Sequence, residues 1–283
     1  IKVALTGISP VMQAGIRSVL AVVLLWAWMR ARAVPVLVDD GAWKPGLAAG
    51  LLFSVEFCMI YWGLEYTTAS HLIVFLYMAP FVVALGVHFL LPSERLSLVQ
   101  IAGMTIAFGG VVLIFSEGLF APPMETAWIG DVMAFLAALF WGLTTLLVRL
   151  SRLCTIAPAR TLFYQLAVSA FLLPIASVLI GEPGIIEITP IVAACVVFQA
   201  IIVAFASYLA WFWLIAHYPV PLLSSYTFLA PLFGVIFGVL LLSEPMTVAL
   251  AGGAGLSGAG IYLVNRKRPM PAARWMPGTA SES

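Results

Sequence analysis
Charge is what this sequence has least of. Only 9% of its 283 residues are charged, and 13 basic against 12 acidic residues leave a net charge of +1. A soluble domain carries about 25% charged residues, so water is excluded as the solvent for most of this surface. The same balance excludes a nucleic-acid partner, because nothing basic is spare to neutralise phosphates. Cysteine is scarce too: Cys58, Cys154 and Cys195 stand far apart with no CxxC, which speaks for free thiols over a disulfide framework or metal site. No GxxxxGK[ST], HExxH or GxSxG is present. That removes the nucleotide-binding loop of an ATP-driven pump and the common signatures of an intramembrane enzyme. We expect no cofactor and no enzymatic activity.

What is there instead is apolar: 63% of the chain. A helix needs about 20 apolar residues to cross the hydrocarbon core. Nine such runs lie near 11–30, 45–65, 69–91, 96–116, 128–149, 159–180, 189–215, 219–242 and 246–264. Short loops rich in Pro, Gly and Ser separate them. IKVALTGISP, ahead of the first run, reads as the end of a further helix. Residue 1 is Ile and no signal-peptide pattern is visible.

The charges test this count. Alternating sides put Arg30, Arg32, Lys44, Arg95, Arg149, Arg152, Arg160, Arg266, Lys267, Arg268 and Arg274 on one side. The opposite loops hold Glu65, Glu117, Glu125, Glu182, Glu187 and Glu244 and no basic residue. By the positive-inside rule the basic side is cytoplasmic, with both termini there. Such loops without an organelle signal point to a bacterial inner membrane.

The chain also repeats itself. Setting Pro80 on Pro231 aligns Trp62 with Trp213 and, after a gap at Pro92, Ser93-Glu94 with Ser243-Glu244, Gly103 with Gly253 and Gly110 with Gly260. The offset of about 150 residues is five spans, an odd number, so the second copy is inverted, as in many secondary transporters. By the same register GDVMAFLAALFWGLTTLLV has a partner upstream of Ile1, which puts about 15–20 residues before this start. The expected fold is therefore all-α and membrane-integral: ten transmembrane helices in two inverted five-helix repeats, the first helix largely missing here. Residues 1–116 form the first repeat, 117–127 an extracytoplasmic linker, 128–265 the second repeat and 266–283 a basic, disordered cytoplasmic tail.

GDVMAFLAALFWGLTTLLVRLSR, FLAPLFGVIFGVLLLSEPMT and its counterpart YMAPFVVALGVHFLLPSERLS carry a resemblance to the drug/metabolite transporter superfamily, in its ten-span, two-copy EamA-type branch. The resemblance covers essentially the whole chain. It departs at the first helix, where the family's own tryptophan-glycine turn would stand. It implies transport of small metabolites, outward or inward, through a central cavity lined by both copies.

Two ionisable residues lie inside the apolar runs. Glu56 is midway between Lys44 and Glu65, near mid-bilayer. Arg17 stands seven residues past Pro10, roughly 10 Å from the acidic face at 1.5 Å per residue. Lys2 lies at a similar depth, and Gln13 shares the face of Arg17. An intramembrane charge is a functional candidate by default. On that reading Glu56 belongs to the substrate site and is the candidate proton carrier. On the other, Glu56 and Arg17 form a buried pair that fixes helix packing. In the repeat Arg17 corresponds to Gln165 and Glu56 to Ser207. Trp141, Tyr77 and Tyr226 lie deep enough to wall a cavity. Tyr61, Trp62, Tyr66, Trp211 and Trp213 read as interfacial belts, with a substrate-stacking wall as the alternative. Ser93-Glu94 and Ser243-Glu244-Pro245 read as helix caps, and the glycines of 103–110 and 252–260 as close helix contacts. His71, His88 and His217 read as local packing or surface residues.

The candidate cavity residues are thus Arg17, Glu56, Tyr77, Trp141, Gln165, Ser207 and Tyr226. A cation, an anion and aromatic surface together suit amino acids, aromatic ones included, exported by alternating access with protons as a coupling ion. Its partners would be a small-molecule substrate and the lipid bilayer. Export of cationic drugs or other metabolites, and a structural membrane protein without transport, are the alternatives.

Overall fold
Proline opens three of the long helices, at Pro10, Pro158 and Pro190, where its missing N–H would have no helical partner in any case. The side chains of Thr68, Ser97, Thr189 and Thr247 each accept a hydrogen bond from a first-turn N–H. In an apolar solvent such donors must be met within the protein, and helices meet the rest along their own axes. The computed structural model describes residues 1–36, 38–120, 125–242 and 247–266. The helices are α1 (Pro10–Ala31), α2 (Trp43–Gly63), α3 (Ala69–Leu76), α4 (Ala79–Leu90), α5 (Leu98–Ile114), the single turn α6 (Ser116–Leu119), α7 (Ala127–Leu150), α8 (Pro158–Ile180) and α9 (Pro190–Phe198). A π-helix over Gln199–Ser207 leads into α10 (Tyr208–His217), followed by α11 (Val220–Tyr226), α12 (Leu229–Leu242) and α13 (Val248–Asn265).

Among the described residues there is no β-strand, and eight helical segments are long and apolar enough to cross a membrane. α3 and α4 make one such segment, as do α9, the π-helix and α10. Each apolar run of the sequence is helical. The run over 96–116 gives α5, apolar but shorter at 17 residues. The chain is an all-helical integral membrane protein.

Alternating helix directions give the bundle a basic and an acidic end. At the basic end Asp40 takes two hydrogen bonds from Arg160, at 2.5 and 3.3 Å, while its carbonyl accepts from Arg152 at 3.0 Å. The Arg160 bonds, with one from the Ala42 N–H, hold the Asp40 carboxyl below the usual carboxylate range. At the acidic end the Glu182 carboxylate accepts from the hydroxyls of Ser9 and Ser177 and from the N–H groups of Val11 and Met12. It therefore caps α1 from the turn after α8, an anion where the helix dipole favours one. Nearby Glu65, in the turn after α2, is pushed above the usual range by burial and by the charge of Glu182.

α5 and α13 run side by side without a side-chain layer between them. A Cβ on Gly103 would stand 2.8 Å from the Gly260 carbonyl oxygen, and one on Gly253 would stand 2.7 Å from that of Gly110. Ser257 Oγ donates to Ala107 O at 3.1 Å across the seam. Gly103→Leu must push the helices apart, and overpacking of this kind costs about 1–3 kcal/mol. A lowered melting temperature of the solubilised protein is expected. Gly109→Leu, whose Cβ meets nothing within 4 Å, should leave it unchanged.

The start of α5 corrects one expectation. Ser97 and Gln100 form the capping box there. Glu94 does not cap α5: it sits in the preceding 3-10 turn, pairs with Arg149 of α7 and accepts from the N–H of Val220 at the start of α11. The expectations for Ser243-Glu244-Pro245, for the tail beyond 266 and for the side chain of Lys2 lie outside the described residues.

Candidate functional site
α1, α2, α3, α7, α8 and the pass from α9 to α10 surround a cavity of about 890 Å³. Toward the acidic end its wall includes Ile191 and Ala194 of α9. Toward the basic end its wall finishes at Trp211 and Phe212. The basic end is tied together near there. Arg149 donates from Nε and Nη2 to Glu94 at 2.9 and 2.5 Å, and from Nη1 to Ile215 O at 3.0 Å. The other Glu94 oxygen accepts from the Val220 N–H at 3.0 Å.

Five of the seven candidates line this one cavity: Arg17, Glu56, Trp141, Gln165 and Ser207. Both charged residues and both of their repeat counterparts are therefore brought together. The other two fall elsewhere. Tyr77 belongs to a neighbouring cavity of about 570 Å³, where its ring stacks on Phe228 at 5.7 Å. Tyr226 lines neither cavity. It is 42% exposed and donates to Asn265 Oδ1 at 2.8 Å near the basic end, so its expected place in the cavity wall is corrected.

Arg17 is placed by α1, which packs tightly on α8 just before it: a Cβ on Gly15 would lie 2.7 Å from the Pro174 ring. The guanidinium is 2% exposed and lies over the Phe57 ring at 4.1 Å, with Tyr61 and Tyr208 at 5.4 and 5.9 Å. Cation–π attraction is strongest where water is excluded, as here. Its hydrogen bonding is incomplete. Nη1 donates to Tyr61 Oη at a long 3.5 Å, while Nε and Nη2 have no partner.

Glu56, 5% exposed, faces the same cavity from α2. Among the described residues it makes no hydrogen bond and no ion pair, so the expected Glu56–Arg17 pair is not formed. The cavity thus holds a carboxyl and a guanidinium that form no salt bridge with each other.

An amide network that sequence reasoning missed supports Arg17. Tyr61 Oη donates to Gln199 Oε1 at 2.8 Å, Gln13 Nε2 donates to the same oxygen at 3.2 Å, and Gln199 Nε2 donates to Cys195 O at 3.2 Å. Tyr61 is fully buried, not part of an interfacial belt, and Trp211 likewise faces the cavity. The signal for Gln199 was in plain view: a glutamine at the centre of the apolar run 189–215. It opens the π-helix, a geometry that is rare and frequent at functional sites. His71 is also more than packing. Its Nδ1 lies 3.1 Å from both Asp131 oxygens, and its Nε2 3.1 Å from Leu119 O, at the acidic end.

The sequence profile of the EamA-like transporter family matches residues 1–116 and 128–266. An uncharacterized transporter of Archaeoglobus fulgidus is 26% identical over 95% of this chain and 92% of its own length. A probable terminal-alkyne amino-acid exporter of Streptantibioticus cattleyicolor is 27% identical over 84% of this chain and 75% of its own. A probable amino-acid metabolite efflux pump of Salmonella typhimurium is 26% identical over 93% and 88%. One solved crystal structure superposes with a TM-score of 0.78 at 18% identity, covering 93% of this chain and 90% of that one, a likeness of fold.

Proposed function
The chain belongs to the EamA-like transporter family, and from that premise we propose that it exports amino acids by alternating access, with the substrate held between Arg17 and Glu56. The observation that carries this reading is a carboxyl and a guanidinium that line one buried cavity without pairing with each other. A zwitterion supplies what each lacks. Its carboxylate meets the guanidinium of Arg17, a planar fork suited to two oxygens. Its ammonium meets Glu56. The relatives named as amino-acid exporter and amino-acid metabolite efflux pump support the substrate class and the direction.

Ten spans in two inverted repeats fit the same reading. Its support is that Arg17 and Gln165, and Glu56 and Ser207, equivalent in the internal alignment, share one cavity. The basic end is cytoplasmic by the positive-inside rule, in a bacterial inner membrane. Protons are the coupling ion, carried by Glu56. The cationic-drug reading needs Glu56 free of Arg17, and the two form no ion pair. Yet the Arg17 cation lines the same space, and it repels such a substrate.

Counterflow in proteoliposomes tests the proposal. Vesicles preloaded with single unlabelled amino acids should take up the labelled one for at least one member of the panel. A panel in which none does removes the amino-acid reading.

On this mechanism the Glu94–Arg149 pair is the closure between cavity and cytoplasm. Glu94→Gln removes a charged hydrogen-bond acceptor worth about 1.5–3 kcal/mol, a shift of roughly ten- to a hundredfold in the balance of open and closed states. Cys195, in the cavity wall, reports on it. With Cys58 and Cys154 replaced by serine, an impermeant thiol reagent added from the basic side should label the Glu94→Gln protein faster than its parent. Equal rates would mean that the pair does not close the path.

A further inference from the structure
The second cavity has no assigned role. It lies beside the first and shares three wall residues with it, Ile73, Leu76 and Trp141. Among the described residues the rest of its wall is apolar, including Ile114, Phe115 and Val235, and Tyr77 supplies the one side-chain hydroxyl. The two spaces therefore divide by chemistry. Every charged or amide side chain of the pair, Arg17, Glu56, Gln165 and Gln199, stands in the larger. The smaller offers about 570 Å³ of apolar room, within the size range of ligand pockets.

Trp141 is the partition. The next residue, Gly142, lies so close to α4 that a Cβ there would meet Val82 Cβ at 2.7 Å. This contact fixes the α7 backbone while the indole ring borders both spaces. An amphipathic ligand bound at Arg17 and Glu56 can place its apolar end in this neighbouring space, whose described wall carries no charge.

Resting on the amino-acid reading above, we propose that the cavity beyond Trp141 is the side-chain subsite, and that it selects amino acids with large apolar side chains over small ones. A hydrophobic pocket discriminates roughly 10–200-fold per methylene gained or lost, so occupancy of this space is measurable as a substrate preference.

Gly234 provides the test. It lines the second cavity alone, and a Cβ on it would meet nothing within 4 Å. Gly234→Leu therefore occupies open space, and Gly234→Ala is the short control. Counterflow is measured with phenylalanine, methionine and alanine for the parent and both variants. The parent should prefer the two large substrates. Gly234→Leu should lower their exchange at least about tenfold and leave alanine exchange unchanged, with Gly234→Ala between. Equal loss of all three substrates, or of none, would overturn the subsite; the latter is expected if a lipid acyl chain fills the space instead. A parent that exchanges no amino acid at all would remove the underlying reading and the subsite with it.

Discussion

Arg17→Gln should lower amino-acid exchange at least about thirtyfold while leaving the fold as stable as before or more so. The guanidinium is 2% exposed, and two of its nitrogens have no acceptor. An unsatisfied buried donor costs about 1–3 kcal/mol, and more when it is charged. Cation–π contact with Phe57 at 4.1 Å returns part of this, at about 2 kcal/mol when desolvated. The empty site thus carries a strain that only an incoming acceptor relieves. Replacement by glutamine removes that strain and the reason to bind a carboxylate together. Losing one partner of a buried, hydrogen-bonded charge pair costs about 2–5 kcal/mol of binding, so exchange should fall at least about thirtyfold. Arg17→Lys keeps the charge but loses the planar fork, and should fall less. The checks are counterflow and the melting temperature of the solubilised protein. A melting temperature that falls in step with exchange would make Arg17 an architectural residue, and the carboxylate site would have to lie elsewhere.

How much of this was legible in the sequence depends on the length scale. The passes were legible because runs of about 20 apolar residues have one outcome in a bilayer. Arg17 and Glu56 were legible for the same reason: a charge is conspicuous where nothing else is polar. Their relation was not. Depth along two helices predicted that the side chains could meet, but rotation about each axis is set by packing. Phe57 sits one residue from Glu56 and takes the place beside Arg17 that the carboxylate was expected to fill. Tyr61 misled in the opposite way. Near the end of an apolar run a tyrosine reads as interfacial, yet here the helix is covered by the pass from α9 to α10, and its hydroxyl finds Gln199. Tyr77 and Tyr226 were assigned by depth alone, which cannot tell one cavity from the next. Glu94 read as a cap because its nearest sequence neighbour is a helix start. The pairing with Arg149 joins residues 55 positions apart, and only the fold brings them together.

Glu56→Gln should uncouple transport from a proton gradient. Glu56 stands midway along α2, 5% exposed, with no hydrogen bond or ion pair among the described residues. A carboxylate at that depth is costly unless it is neutralised. Two neutralising species reach it in turn: the ammonium of the substrate when the cavity is loaded, and a proton when it is empty. Because both use the same oxygens, binding one displaces the other, and that competition links the two fluxes in opposite directions. Glutamine copies the shape of the protonated acid and can neither release a proton nor pair with an ammonium. Accumulation driven by an imposed pH gradient should therefore drop to the protein-free background. Exchange without a gradient should weaken by about tenfold, the loss of one hydrogen bond to a charged group, and not vanish while Arg17 still holds the carboxylate. The measurement is labelled uptake into one vesicle preparation, with and without the gradient. Gradient-driven accumulation that survives in Glu56→Gln would place the coupling ion elsewhere. Exchange that is also undiminished would leave the glutamate no part in transport. Stronger exchange of cationic drugs in Arg17→Gln, lost again in the double variant, would turn the cavity's assignment from zwitterions to cations.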